Sequence, residues 1–424
     1  MQARGLNLTA EDIYSINQSS LKDGVVRLMS PGSGRMFCTG EVISDQGLFL
    51  TNHHCGYGAI QSLSTDEDNI LRNGFWAKSK DQERPANFHI GFLRRIEEVT
   101  SNVVGDLSAT MGEEARKKGI ADNMAGLKKQ LLANLGDDAK NYQVDIIAFY
   151  NDNRYMAMYY EVYKDIRLVG SPPENIGKFG GESDNWRWPR HTGDFSMFRI
   201  YSDKADKPAR YAAENKPHKP KHNFKVSLKG YQEGDYAMIM GYPGTTQRYT
   251  YSEGIKYLGS KQRPMRVALR RSIMDVYEVE MKKSPSTRLK YSNKLAGIGN
   301  YWNKFNGEAH DLSKPGLYEK SKTREVAFEK WVRDNKKEDT YGNVTSLYDE
   351  AYLELNKIGL FPVYFSDGIR NSQAMMNALN FRSYVALLSA DDDAKKKQAK
   401  AMHSQMLQST GAMFKEYVDA IELP

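Results

Sequence analysis

Cysteine is scarce, with two residues in a chain of 424, Cys38 and Cys55. That excludes a disulfide-built scaffold and a four-thiolate zinc site, and leaves room for one local staple. Long apolar runs are missing too. No stretch of about eighteen apolar residues occurs, so no membrane-spanning helix is expected. Charge of one sign is in small excess, 60 Lys+Arg against 53 Asp+Glu, for a net +7. Spread over this length, it makes only a weak case for a nucleic-acid partner. The opening Met1-Gln-Ala-Arg-Gly-Leu-Asn-Leu lacks the apolar core of a signal peptide. Taken literally, that places the protein in the cytoplasm; the alternative is a true start upstream of Met1. What is present is globular material, 40% apolar and 11% aromatic with 26 Tyr, neither disordered nor collagenous. The length exceeds one ordinary core, so two or three domains are the starting expectation.

Periodicity changes along the chain. Thr9 with Asp12 three residues on resembles a capping box that opens a helix. A short strand is expected around Gly24–Met29. A hairpin follows, Cys38 to Ser44, a turn at Asp45-Gln46-Gly47, then Leu48 to Asn52. Residues 107–135 read as a helical excursion. Tyr142–Phe149 and Arg154–Tyr163 alternate apolar with polar around Asn151-Asp152-Asn153 and form a second hairpin. Further strands are expected at Asp194–Tyr201 and Tyr236–Met240. Between them, Lys204–Lys225 carries Pro208, Pro217 and Pro220 among basic residues and reads as an exposed connector. After about Tyr249 helical spacing takes over, at Val267–Lys282, Glu319–Asn335, Val344–Ile358, Gln373–Leu388 and Asp393–Ile421. The shift from β-rich to helical places a boundary near 250–275.

The densest chemistry lies between Cys38 and Cys55. A hairpin whose turn falls midway brings these two positions side by side, at the 5.5–6 Å Cα separation typical of a disulfide. Closing such a loop stabilises by about 3 kcal/mol in the chain-entropy model. The staple also steadies the end of the second strand, where His53 and His54 sit. Three readings compete there. The pair can be a strand end with no task. His53, His54 and Cys55 can be metal ligands, although neighbours on a strand point to opposite faces. Or His54 is a general base. The pattern resembles the first barrel of chymotrypsin-like serine peptidases, whose base histidine directly precedes a Cys; that favours His54 and leaves His53 structural. Such a base needs a carboxylate to orient it. Asp194 is the candidate, after a Gly and at the head of an alternating strand; a strand-end Asp satisfying nearby amides is the alternative.

Three runs together carry a more specific resemblance: Thr-Asn-His-His-Cys-Gly-Tyr-Gly-Ala-Ile-Gln (51–61), Asp-Asn-Trp-Arg-Trp-Pro-Arg-His-Thr-Gly-Asp-Phe-Ser (184–196) and Gly-Tyr-Pro-Gly-Thr-Thr (241–246). In this order, with His54 and Asp194 140 positions apart, they resemble the bacterial serine-type dipeptidyl-peptidases of the dipeptidyl-peptidase 7 and 11 type. The resemblance implies a β-rich chymotrypsin-like double β-barrel, here with the second barrel incomplete, plus an α-helical inserted domain. Residues 1–250 would be the peptidase domain and 251–424 the first portion of a helical cap. It implies His54 and Asp194 as catalytic base and orienter. It also implies that Asn185 and Trp186 contact the free α-ammonium of a peptide, that Arg190 supports the same subsite and that Asn300 closes the pocket. For Trp186, Trp188 and Trp302 the alternative is core packing, which is preferred for Trp188. No cofactor or metal is implied. The partners would be oligopeptides with a free N-terminus and, for the complete protein, a second copy in a homodimer.

The family's nucleophilic serine, in a Gly-Asn-Ser-Gly or Gly-Asp-Ser-Gly setting, is expected beyond residue 424. Ser33, Ser183 and Ser409 do not fit that setting or the order His, Asp, Ser. The expectation is therefore a fragment open at both ends and inactive alone, from a periplasmic or cell-surface exopeptidase whose signal peptide lies upstream. The alternative function is a non-catalytic binder of peptide N-termini.

Overall fold

The computed structural model describes residues 1–424 except Ala109, Thr246, Leu423 and Pro424, and leaves out the side chains of Glu182, Asp184, Gln405, Ala412 and Glu416. Thr246, which ends the third run, thus lies outside the described residues. The chain divides into two compact units. One is Met1–Phe179 with Thr192–Thr245, and the other is Gly180–His191 with Thr246–Pro424.

Among the described residues the first unit is built on eleven strands: β1 (Val25–Met29), β2 (Met36–Val42), β3 (Leu48–Thr51), β4 (Phe75–Trp76), β5 (Arg84–Pro85), β6 (His89–Glu98), β7 (Tyr142–Phe149), β8 (Arg154–Tyr163), β9 (Asp165–Ser171), β10 (Ser196–Ser202) and β11 (Lys216–Pro217). They form one sheet in the order β4-β9-β10-β3-β2-β1-β6-β8-β7, with β11 on β10 and β5 on β9. The path runs from β4 to β7 without closing. Among the described residues the strands thus form one open sheet and no closed barrel. β1 reads Val-Val-Arg-Leu-Met and is buried throughout. Arg27 is tolerated in it because its guanidinium meets Asp145 Oδ2 at 2.8 Å, donates to the Gly34 carbonyl at 3.1 Å and lies 4.0 Å from the Tyr160 ring centre. A buried cation is stable only with such company. The β7–β8 hairpin turns through Tyr150, Asn151 and Asp152, all at positive φ, a conformation that Asn and Asp adopt most easily among residues with a Cβ.

Tyr236–Met240 is not a strand, and Ile239 is 100% exposed. An apolar pentapeptide becomes a strand only where a neighbour completes its ladder, and none of the described residues does so. The Gly241-Tyr242 that follows does find β2. Its Tyr242 amide donates to Thr39 Oγ1 at 2.9 Å.

In the second unit the long helices are Arg263–Lys283, Pro285–Leu312, Leu317–Asp334, Val344–Ile358, Gln373–Leu388 and Asp393–Glu416. The first two pack around Met274, Tyr277, Met281, Tyr291 and Ile298. Pro285–Leu312 escapes periodicity because Gly297, Gly299 and Gly307 dilute its apolar pattern. Local signals mark its start instead. Pro285 sits at the first helical position and Ser284 Oγ accepts the Thr287 amide at 3.2 Å.

The sheet core beside the site rests on Phe198 of β10. Its buried ring stacks on Phe49 at 5.8 Å and meets the edge of Phe88 at 5.0 Å. Phe198→Ala should cost about 3–5 kcal/mol. Urea unfolding of the two proteins checks this, and a loss below about 1 kcal/mol would mean that the ring is not part of the core.

Candidate active site

β3 ends at Thr51, whose hydroxyl donates to the Thr39 carbonyl at 2.7 Å. The next residue starts a helix. The Asn52 carbonyl accepts the Cys55 and Gly56 amides, both at 3.1 Å, and His53–Ser62 is helical. The expected strand-end placement of His53 and His54 is therefore replaced by the first turn of a helix, where neighbours point about 100° apart. His54 faces out, its side chain 61% exposed. His53 faces in, at 0% exposure. The helix presses close on β10. A Cβ on Gly56 would lie 2.6 Å from Ser196 Oγ, so only glycine allows this approach.

That approach delivers His54 to Asp194, just ahead of β10. Nδ1 of His54 is 2.8 Å from Asp194 Oδ2, and the His54 amide donates to Oδ1 at 3.0 Å. Asn52 Nδ2 donates to the same carboxylate at 3.3 Å and to the Asp194 carbonyl at 3.2 Å. Asn52 is a contact that reading the sequence missed; its signal was an amide side chain at a strand end, next to two histidines. Burial alone would raise the Asp194 carboxyl. The hydrogen bond and charge of His54, with its amide, outweigh burial and hold it below the usual carboxylate range. An ionised carboxylate only accepts, so Nδ1 is the nitrogen that donates, and in the neutral ring Nε2 is the one that holds the lone pair.

Cys38 and Cys55 are joined, with Cα atoms 6.0 Å apart. Cys55 lies in the helix rather than on a strand opposite Cys38. The bond thus ties the helix that carries His54 to β2. Cys38, His54 and Cys55 bring their ligand atoms within 4.8 Å of one another. Both sulfurs are spent on each other, which leaves one imidazole nitrogen.

In the second unit, Asn300 Oδ1 accepts from Asn185 Nδ2 at 3.2 Å and from Trp186 Nε1 at 2.8 Å. Asn300 lies in the helix Pro285–Leu312, while Asn185 follows the short helix Gly181–Asp184. Trp186 stands at φ 63°, a region few residues with a Cβ occupy. Arg190 is exposed and, among the described residues, shares no hydrogen bond with Asn300. Trp188 is 90% exposed, which corrects the expectation that it packs in a core. Trp302 is partly buried against the Met274–Tyr291 cluster.

Burial pushes the His53 imidazole down to about 4, against a smaller upward pull from Asp194 and Glu174. The unfolded chain protonates near 6.5 and the folded one only near 4, so the unfolded state binds more protons in that window. The contribution of His53 is fully present above about pH 6.5 and should fall by roughly 3 kcal/mol as pH drops toward 4. His53→Leu should remove that part of the slope. Urea midpoints between pH 7 and 4.5 measure it; equal slopes in both proteins would contradict it.

The chain matches the family model described as Peptidase S46 over residues 1–423. It is 42% identical over 356 residues to an Asp/Glu-specific dipeptidyl-peptidase of Capnocytophaga gingivalis, covering 84% of this chain and 48% of that protein. It is 36% identical over 428 residues to dipeptidyl-peptidase 7 of Porphyromonas gingivalis, covering 100% of this chain and 56% of that one. Among solved structures it resembles Porphyromonas endodontalis DPP11 in complex with the dipeptide Arg-Glu, with a TM-score of 0.85 and 32% identity over 99% of this chain and 59% of that one. The chain spans about half the length of the curated relatives it matches. On these similarities, the chain belongs to the peptidase S46 family.

Proposed function

We propose that this chain carries the general base and its orienting carboxylate for a serine-type dipeptidyl-peptidase, an exopeptidase that releases dipeptides from the free N-terminus of oligopeptides. The observation that carries the proposal is the 2.8 Å contact of His54 Nδ1 with Asp194 Oδ2. The activity is proposed for the whole peptidase, since the chain spans about half the length of its curated relatives.

The geometry suits the chemistry. With Nδ1–H tied to Asp194, Nε2 of His54 takes the proton of a serine hydroxyl as its oxygen attacks the scissile carbonyl. The positive charge formed on the ring is stabilised by the ionised Asp194. The same proton then passes to the leaving amine, and water repeats the sequence on the acyl-enzyme. His54 is exposed enough to meet a substrate, and Asp194, at 16% side-chain exposure, is sheltered enough to orient it.

Asn185, Trp186 and Asn300 supply what an α-ammonium needs, amide oxygens that accept and an aromatic face. We assign Asn185 and Trp186 to contact with the peptide N-terminus, Asn300 to closing that pocket and Arg190 to supporting the same subsite. Residues 1–250 are read as the peptidase domain, whose sheet belongs to a chymotrypsin-like double barrel in the whole protein, and 251–424 as part of a helical cap. The Cys38–Cys55 bond supports an oxidising, periplasmic or surface location. Among the described residues no helix is long and apolar enough to cross a membrane. A homodimer is carried over from the resemblance.

His54→Ala in the complete peptidase should lower kcat/KM on a dipeptidyl chromogenic amide by at least about 100-fold, with the fold retained by circular dichroism. Undiminished turnover would remove His54 from the mechanism.

A further inference from the structure

His53 is a buried polar side chain that nothing polar holds. It is fully buried, and neither ring nitrogen has a hydrogen-bond partner among the described residues. A buried polar atom left unpaired is costly. Leucine or phenylalanine would avoid that cost, so the shape of the imidazole, a small flat ring, is what the site uses. The ring lies directly on Gly177. A Cβ at Gly177 would sit 2.5 Å from the imidazole Cγ and Cδ2 and 2.7 Å from Nε2.

Gly177 ends the short turn Glu174–Gly177, which is held at both ends. Tyr57, one helical turn after His53 and edge-on to its ring at 5.5 Å, donates its hydroxyl to Glu174 Oε1 at 2.6 Å. At the other end, the Ile176 carbonyl accepts the Gly193 amide at 3.0 Å. A Cβ on Gly193 would lie 2.8 Å from Ile176 Cγ2. Gly193 is joined to Asp194, as His53 is joined to His54. One turn therefore touches the residue before the base and the residue before its carboxylate. The groups that face His53 electrostatically are Asp194, Glu174, His54 and Lys178. A neutral ring adds no cation beside a His54 that must itself become one.

We propose that His53 is a positioning residue, which sets the spacing of His54 and Asp194 by resting on Gly177 in the turn that also holds Gly193. The role rests on reading His54 and Asp194 as base and orienter, but its test needs no substrate. In histidine-labelled 424-residue chain, the low-field Nδ1–H resonance of His54, identified by its loss in Asp194→Asn, reports the contact. Gly177→Ala should abolish it, while Gly126→Ala, whose methyl would meet open space, should keep it. The double variant His53→Ala with Gly177→Ala should restore it, since the new methyl takes the space the ring vacates. Persistence of the resonance in Gly177→Ala overturns the proposal. So does a folded double variant without it, and so does a double variant that fails to fold where His53→Ala alone folds. If Gly177→Ala itself does not fold, the double variant decides. A complete protein that cleaves no peptide would overturn the peptidase reading and leave this measurement intact.

Discussion

A single hydrogen bond sets the chemistry available to this chain. Imidazole has two nitrogens and cannot by itself specify which acts as a base. With Asp194 Oδ2 at 2.8 Å from Nδ1 of His54, the proton is committed to that side. The other nitrogen is left with its lone pair on an exposed edge. The His54 backbone amide on Oδ1 and the Asn52 side-chain amide on Oδ2 add two further donors to the carboxylate. It thus stays ionised and fixed despite its burial.

Holding two side chains 140 positions apart to such a tolerance is the work of the sheet. β3 and β10 are neighbours, with Thr51 opposite Ser196. The residues just beyond these two, Asn52 to His54 on one side and Asp194 on the other, are brought together by register. The disulfide to β2 and the close approach at Gly56 keep the helix from swinging away. These constraints act on the backbone. They are built from glycine, cysteine and strand pairing, and His54 and Asp194 are simply carried at their ends.

Local chemistry made some of this legible in sequence. The 142–149 and 154–163 hairpin shows in its alternation and its Asn-Asp-Asn turn, and both strands occur with those bounds. The Thr9–Asp12 capping box is present with both of its hydrogen bonds. Cys38 and Cys55 could be paired because a midpoint turn implies proximity, although the geometry differs: the second partner is helical. What could not be read was non-local. Nothing in Tyr236–Met240 says whether a neighbour will complete its ladder. Nothing in Trp188 says that it will stand in solvent. The helix Pro285–Leu312, which carries Asn300, hides behind its glycines. The close fit of His53 on Gly177 joins residues far apart in the chain, each ordinary when read alone.

The claim at the centre is that His54 acts through Nε2 while Asp194 holds Nδ1. A crystal structure of the complete peptidase with a dipeptidyl phosphonate bound to its nucleophile tests this directly. The account predicts the phosphonylated serine oxygen within hydrogen-bond distance of His54 Nε2, with Nδ1 still on Asp194. A phosphonylated serine served by another base, with His54 turned away from it, would contradict the account.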